Sequence, residues 1–427
     1  MGEYLVPPIC GWTYLYGRNA GVSVSSRIVA TLTMHLHADI LSAVLQEAAV
    51  RFPQMAVGLE QRDGKLAFVP CSGPVPLFHA AETGGCAADF ADAALSGYLF
   101  KVSYIHKTVY FDFHRALTDE YGMMSFAKSV LFRYLELSGC PVRNDGSVKL
   151  LSGTFFQAEG EDAMLKMEDI NASRPVWYMD AKAIVPPSAE KGQEEVVQVR
   201  IPMDGPMKLF TGAAVNHVAC ISPAFSQAVQ EMYAGSMEKG EYVVASVSVN
   251  LRPYFPAASL RPFTANVYLA YNRSLTEYPY NTVQMSQKKL LEAQMKSDAL
   301  AYSVQRYMTD IENALDSSEV SGELYGAMSD LQEKTGERAT YRIGGIGNVI
   351  LPESMRRLVE EFYPVIPSGG KSYSLTVENY SGNLVVAVCG AERTAEVCAR
   401  FVEILHENDI DAFIADTYGF VPMDMKK

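Results

Sequence analysis

The chain has 427 residues, of which 48% are hydrophobic and 20% are charged, and its formal net charge is −13. This length exceeds one ordinary core and predicts two domains of roughly 200 residues each. The acidic balance, without any run rich in lysine and arginine, argues against a nucleic-acid partner. The longest apolar runs have the length of a strand, so no membrane span is predicted.

The seven cysteines are scattered and never spaced as CxxC, which is typical of reduced thiols in a cytoplasmic protein. The N-terminus lacks the basic and then apolar segments of a signal peptide, so we expect a cytoplasmic location. His35 and His37 would share one face of a strand. No further histidine is near them in sequence, so we predict no metal site.

The first half begins with a strand, a helix and a hairpin. Residues Ile28 to His37 alternate loosely and predict a strand, and Asp39 can cap the helix that follows. That helix ends near Pro53, which cannot continue it. The runs Met55 to Glu60 and Lys65 to Pro70, joined by an Asp-Gly turn, predict a hairpin.

The most informative stretch runs from Phe111 to Gly122 and reads FDFHRALTDEYG. It follows two short apolar runs and precedes an amphipathic segment, Met123 to Leu137, that predicts a helix. His114 thus stands at a strand end, with Asp119 five residues later. A positioned imidazole can take a proton from a hydroxyl or amine near neutral pH, so this is a candidate acid–base site.

The least core-like stretch is Val185 to Glu195, with paired prolines, a glycine and charges, and it predicts a linker between domains. After it, Ala213 to Tyr233 predicts a mostly apolar helix that breaks at Pro223. The other predicted elements of the second half are strands at Val196 to Ile201 and Glu241 to Asn250, helices within Lys288 to Glu333, a hairpin of Ser372 to Val377 with Asn383 to Cys389, and a final helix, Glu392 to His406.

Strands that interleave with helices in both halves predict an α/β architecture with mixed sheets. We place the N-terminal half at residues 1–184, the linker at 185–195 and the C-terminal half at 196–427.

The stretch FDFHRALTDEYG resembles the HHxxxDG signature of the chloramphenicol acetyltransferase-like superfamily, which includes condensation domains and alcohol acetyltransferases. In that register His114 is the first histidine, Arg115 replaces the second, Asp119 is the aspartate, and Glu120 replaces the glycine. Three further stretches resemble family landmarks: Val249 to Arg252, Ile343 to Pro352, and Val377 to Gly382. The resemblance implies a two-domain pseudo-dimer with mixed sheets and a central tunnel that holds the motif.

The resemblance also implies an activity, namely transfer of an acyl group, most simply acetyl, from a coenzyme A thioester to a hydroxyl or amine of a small-molecule acceptor. We expect no metal in this reaction. In the family the second histidine is the catalytic base, whereas the guanidinium of Arg115 stays protonated and cannot act as one. We therefore expect weakened or lost catalysis. Two alternatives stay open: a non-catalytic descendant that binds a ligand or protein, and a condensation-like partner of an acyl or peptidyl carrier protein.

The two residues at the centre of the motif each have two possible roles. His114 either supports the loop, as the first histidine of the family does, or replaces the missing base. Arg115 either binds an anion at the tunnel centre through its planar fork, or turns to Asp119 or Glu120 and plugs the site.

Two other features of the site follow from the resemblance. Asp119 and Arg252 are expected to form an ion pair between the halves that shapes the loop rather than catalyses. Gly344, Gly345 and Gly347 occupy the loop where relatives place a hydroxyl and an amide, so only backbone N–H groups could bind an oxyanion there.

Overall fold

The computed structural model describes residues 5–17, 23–80, 89–175, 181–186, 193–204, 214–318, 321–336, 338–369, 373–390 and 392–425. In these ranges the chain forms two mixed β-sheets and a separate hairpin, with helices packed against them. The predicted α/β class is confirmed. Every helix in the same ranges is too short or too polar to reach across a lipid bilayer.

The strands, in chain order, are β1 Ser25–Leu32, β2 Val57–Arg62, β3 Lys65–Pro70, β4 Leu77–His79, β5 Phe100–Ile105, β6 Thr108–His114, β7 Lys182–Ala183, β8 Glu194–Pro202, β9 Glu241–Asn250, β10 Thr264–Tyr271, β11 Tyr341–Asn348, β12 Val359–Val365, β13 Tyr373–Tyr380, β14 Asn383–Gly390 and β15 Phe413–Phe420. The helices are α1 Gly11–Tyr16, α2 Ala38–Arg51, α3 Glu120–Leu137, α4 Gln157–Gly160, α5 Ala214–Tyr233, α6 Tyr280–Gln294, α7 Ser297–Asp316, α8 Ser321–Gly336, α9 Glu353–Arg356 and α10 Thr394–Glu407.

The first sheet has the order β12-β1-β6-β5-β4. Four of its strands come from the first half of the sequence, and α2 and α3 pack beside them. The fifth, β12, comes from the second half and pairs antiparallel with β1 at the sheet edge. Pro364 is tolerated there because an edge strand leaves one row of N–H positions unpaired. The second half of the sequence thus supplies one edge strand of the sheet that the first half forms.

The second sheet has the order β10-β9-β11-β13-β14-β8-β15, and the short β7 pairs with β9. Strand β11 lies parallel to both of its neighbours, β9 and β13, whereas the other pairs along this order are antiparallel. Helices α5, α6 and α10 cover one face of this sheet. The opposite face looks toward the loop between β6 and α3, so the motif lies where the halves meet.

Several elements differ from the sequence prediction. The first strand ends at Leu32 rather than His37, because its register with β12 shifts between Thr31 and Leu32 and pairing stops there. His37 occupies the N-cap position of α2 without a side-chain capping hydrogen bond, and Asp39 lies in the first turn, so the predicted cap is wrong. The last strand, β15, was not predicted. The linker prediction at 185–195 lies largely outside the described residues, and the domain boundaries stay a prediction.

Helix α5 continues through Pro223, so the predicted break is wrong. Proline removes one N–H donor and disturbs the preceding turn. Two side chains of α6 bind a carbonyl in that turn: the hydroxyl of Tyr280 and the amide of Gln284 donate to the carbonyl oxygen of Cys220 at 2.8 and 3.2 Å. Tertiary hydrogen bonds thus supplement the helix's own, and the helix remains in one piece.

Candidate functional site

The loop between β6 and α3 is fixed by hydrogen bonds at both ends. The backbone N–H of Arg115 donates to the carbonyl of Val24 at 2.8 Å. Asp119 caps α3 by accepting the N–H of Gly122 at 3.1 Å. A Cβ atom on Gly122 would lie 2.4 Å from the carbonyl oxygen of Leu260, so only glycine lets the helix approach that segment. The loop is held rigidly between the halves.

His114 is fully buried in the core of the first half. Its Nδ1 accepts a hydrogen bond from the backbone N–H of Ala116 at 3.1 Å, and its ring packs edge-on against Phe90 with centroids 5.2 Å apart. Because Nδ1 is the acceptor, a neutral ring carries its proton on Nε2. The imidazole therefore braces the turn that follows it.

Asp119 and Arg252 lie together, as an ion pair between the halves. One carboxylate oxygen of Asp119 lies 2.7 Å from Nη1 of Arg252, and the same oxygen accepts the N–H of Phe263 at 2.9 Å. The guanidinium also donates to the carbonyl oxygens of Ser259 and Arg261 at 2.9 and 2.7 Å. Both side chains are almost fully buried, at 4% and 7% exposed. This pair fixes the loop against β9.

A cavity of about 680 Å³ lies between this loop, α1, the open face of the second sheet, and helices α7 and α8. Arg115 lines it, and its guanidinium carbon is 4.5 Å from the ring centroid of Tyr14, which also lines it. Arg115 forms no ion pair within 4.0 Å with any described residue, and the nearby Asp119 pairs with Arg252 instead. Arg115 thus faces the cavity rather than closing it through an ion pair.

Glu120, the first residue of α3, also lines the cavity. Burial raises the pKa of its carboxyl, while the charge of Arg115 lowers it in part and that of Asp119 raises it further. A Cβ atom on Gly344 would lie 3.7 Å from its Oε1, so the carboxyl lies beside the backbone of β11. The sequence showed Glu120 only as a departure from the family pattern. Its position identifies it as a group that can hold a proton inside the cavity.

The three glycines that were expected in a loop lie in strand β11. The register with β13 shifts between Gly344 and Ile346, and Gly345 has φ of +50°, so a β-bulge interrupts the strand here. Gly344 lines the cavity next to Glu120, whereas Gly347 faces Glu378. A bulge leaves a residue outside the regular ladder, so its backbone N–H can serve a ligand.

Glu378 on β13 is a second buried carboxyl near the site, and the sequence analysis missed it. It is 3% exposed, and its Oε2 has no hydrogen-bond partner in the part of the chain that the structure describes. Burial raises its pKa well above the ordinary value, the charge of Glu120 raises it further, and Lys128 opposes the shift. Burial thus favours the neutral form of this carboxyl. Its only signal in the sequence was that it is the one acidic residue of β13.

Charged side chains on α7, on α8 and just after α8 surround the outer part of the cavity. Three are basic and exposed, namely Arg306, Lys334 and Arg338, and two are acidic and exposed, namely Asp310 and Asp330. The rim therefore carries one more positive than negative charge, although the whole chain has a net charge of −13.

No family model matches the sequence, and no curated protein matches it. Solved structures match in fold. Polyketide synthase associated protein 5 from Mycobacterium tuberculosis is 12% identical, with a TM-score of 0.57 over 94% of this chain and 98% of that one. F. sporotrichioides TRI101, complexed with coenzyme A and T-2, is 10% identical, with a TM-score of 0.57 over 97% and 100%. The starter condensation domain of rhizomide synthetase RzmA is 11% identical, with a TM-score of 0.54 over 96% and 97%.

The likeness covers almost the whole chain in each case, so the chain has the two-domain fold of these structures, with mixed sheets, as the resemblance of its motif implied. At identities of 10–12% this likeness shows the fold alone. What the chain does depends on the residues at its centre, because one fold carries many functions.

Proposed function

We propose that the protein transfers an acyl group from a thioester to a hydroxyl or amine of a small molecule bound in the cavity. The observation that carries this proposal is the position of Glu120: a carboxyl of raised pKa lines the cavity beside the motif loop. The similar structures support the thioester. TRI101 holds coenzyme A, and a mutant RzmA starter domain holds C8-CoA together with Leu-SNAC.

Glu120 is the proposed general base. Its carboxylate takes the proton of the acceptor's hydroxyl or amine as the oxygen or nitrogen attacks the thioester carbonyl. The tetrahedral intermediate then collapses, the carbon–sulfur bond breaks, and the thiolate takes that proton from the Glu120 carboxylic acid. A raised pKa suits this role, because a base works best when its pKa approaches the working pH.

Two other groups support the reaction in this proposal. The backbone N–H at Gly344, the residue of the bulge that lines the cavity, donates to the oxyanion as it forms, since an oxyanion is best bound by donors already in place. His114 keeps the loop in position through its bond to Ala116 and transfers no proton.

The test measures release of free coenzyme A from acetyl-CoA by chromatography, with a panel of alcohols and amines as acceptors. Wild type, Glu120→Gln, Glu120→Asp and His114→Asn are compared. We expect Glu120→Gln to lower kcat at least about 100-fold and Glu120→Asp to retain part of it. The pH–rate profile should lose its acidic limb in Glu120→Gln only. A Glu120→Gln enzyme within threefold of wild type would refute the assignment of the base.

The rim of α7 and α8 allows a test of the donor. Lys334 and Arg338 are exposed there and could bind the phosphates of coenzyme A. We expect Lys334→Gln with Arg338→Gln to raise KM for acetyl-CoA several-fold and to leave KM for acetyl-N-acetylcysteamine unchanged, because that thioester lacks phosphates. Equal effects on both donors would argue against coenzyme A at this rim. Faster turnover with an acyl carrier protein would favour the condensation-like alternative.

A second candidate is a non-catalytic protein that binds a ligand in the same cavity. The observation in its favour is Arg115, which stands where the family places the catalytic histidine. No turnover by wild type with either donor, together with turnover by Arg115→His, would identify an intact scaffold that has lost its chemistry and would support this candidate.

A further inference from the structure

A row of polar side chains crosses the open face of the second sheet. The strand register places Tyr268 of β10 opposite Ser246 of β9, Ser246 opposite Arg342 of β11, and Arg342 opposite Ser374 of β13. All four line the cavity. Side chains at matched register positions point to the same face of a sheet, so one line of polar groups spans four strands.

This row is polar where a sheet between two domains is normally apolar. Ser246 is 7% exposed and Ser374 is 2% exposed. The hydroxyl oxygen of Ser374 has no hydrogen-bond partner among the described residues, although it is buried next to Arg342. A buried hydroxyl without a partner is costly, so its retention points to a ligand that supplies the partner.

Two arginine side chains line this part of the cavity. Arg342 belongs to the second sheet, and Arg115 belongs to the motif loop of the first half. Burial lowers the pKa of Arg342, and the charge of Arg115 lowers it further, so the two positive charges are close enough to repel each other. An anion between them would remove that repulsion and receive charge-assisted hydrogen bonds from both halves.

We propose that Arg342, Arg115 and Ser374 bind a carboxylate on the acceptor substrate, with Ser246 and Tyr268 completing the site. This inference rests on the proposed function, since it names the class of acceptor as small hydroxy or amino acids. The planar fork of arginine matches a carboxylate in two-point geometry, which sets this group apart from a neutral amide of the same shape. The carboxylate end lies on the sheet, and the nucleophile lies toward Glu120.

The test is a binding measurement without any acyl donor, so it does not depend on turnover. Isothermal titration calorimetry compares 4-hydroxybenzoate, 3-hydroxybutyrate and 4-aminobutyrate, each with its primary amide, and inorganic phosphate as a separate anion. We expect at least one acid to bind wild type about 10- to 100-fold more tightly than its amide. Arg342→Gln and Arg115→Gln should each remove that preference, and Ser374→Ala should reduce it a few-fold.

Arg357→Gln serves as the matched control, because Arg357 lies on the surface with its side chain 80% exposed. It should bind like wild type. Arg342→Lys retains the charge without the fork, so intermediate affinity in a variant with wild-type unfolding temperature would show that geometry matters. Phosphate bound more tightly than every carboxylate would overturn the carboxylate assignment. Acids and amides bound equally by wild type, or a preference that survives in both glutamine variants, would overturn the site itself.

The outcomes separate this inference from the proposed function. If the protein binds acids more tightly than amides but catalyses no acyl transfer, the carboxylate site is supported and the proposed function is refuted. If it acylates hydroxy acids and their amides equally well, the proposed function is supported and the carboxylate site is refuted.

Discussion

The ion pair between Asp119 and Arg252 allows a quantitative test of what joins the two halves. Arg252→Met leaves the Asp119 carboxylate charged and buried, with the N–H groups of Phe263 and Gly122 as its remaining donors. Asp119→Asn leaves a buried guanidinium that still donates to two carbonyl oxygens. Removing one partner of a buried pair costs about 3–5 kcal/mol, so the two single changes together should cost about 6–10 kcal/mol.

The double variant should cost clearly less than that sum, because it buries no unpaired charge. We expect a coupling free energy of about 2 kcal/mol or more between the two sites. Urea unfolding of wild type, both single variants and the double variant gives this value. The fluorescence of the two tryptophans and far-ultraviolet circular dichroism must report coincident transitions before free energies are compared.

A surface pair of the same chemistry provides the control. Nη2 of Arg357, the residue after α9, lies 3.1 Å from Oε1 of Glu353 in that helix, and both side chains are 80% exposed. Arg357→Met with Glu353→Gln should show a coupling of at most about 0.5 kcal/mol. If the buried pair shows a coupling no larger than the surface pair, the argument that this ion pair fixes the loop between the halves is refuted.

Three further predictions concern positions near the site and on the surface. Since the pKa of Glu378 is raised above its ordinary 4.5, the group stabilises the fold at low pH and loses that contribution as the pH rises toward its folded pKa. The free energy of unfolding of Glu378→Gln should therefore rise relative to that of wild type by up to about 1.4 kcal/mol for each pH unit in that interval. Urea unfolding of both proteins at pH 5 and pH 8 measures this change. The same difference in free energy at the two pH values would contradict it. Gly122→Ala places a Cβ 2.4 Å from the carbonyl oxygen of Leu260 and should lower the free energy of unfolding by about 1–3 kcal/mol. The control Gly326→Ala places its Cβ where no atom lies within 4 Å and should raise the free energy of unfolding by up to about 1 kcal/mol. A similar change in both variants would show that the protein relieves the contact at Gly122. Burial raises the pKa of the Cys71 thiol to about 11. Iodoacetamide at pH 8 should therefore label it about 200-fold more slowly than a thiol of pKa 8.5, as measured by peptide mass spectrometry. Labelling at the rate of that ordinary thiol would contradict the raised pKa.

The sequence predicted the elements whose signals are local. Strand β6 ends at His114, and α3 follows the cap supplied by Asp119. The turn at Ser381 and Gly382 joins β13 to β14, with φ of +51° and +81° as this kind of turn requires. In each case a few neighbouring residues determine the conformation, so pattern and turn chemistry suffice.

Elements determined by distant residues were missed or wrong. Pro223 reads as a helix break, yet side chains of α6, more than fifty positions away, bind the carbonyl of the disturbed turn. The polar row is another such case. In the sequence, Ser246, Tyr268 and Ser374 are polar residues that alternate with apolar ones, a pattern typical of the solvent-facing side of a half-buried strand. Only the pairing of four strands places them beside Arg342 in one cavity.

The positions of His114 and Arg115 depend on where β6 ends. His114 is the last residue of that strand, and its ring is fully buried. Arg115 is the first residue of the turn that follows, where the alternation of strand faces no longer applies, and its side chain lines the cavity. A slip of one residue along β1 would turn Phe111 and Phe113 away from Phe126 of α3, against which both now pack.

That slip would also separate Asp112 from Arg27, now 2.7 Å apart, and leave a fully buried carboxylate unpaired. Such a loss costs several kcal/mol of folding free energy, so the register is strongly specified. In the proposed reaction the base therefore comes from a residue that already lines the cavity. Glu120, whose carboxyl has a pKa raised by burial, is such a residue. We propose that the two departures from the family motif, histidine to arginine and glycine to glutamate, belong together as one exchange of roles in which Glu120 becomes the base.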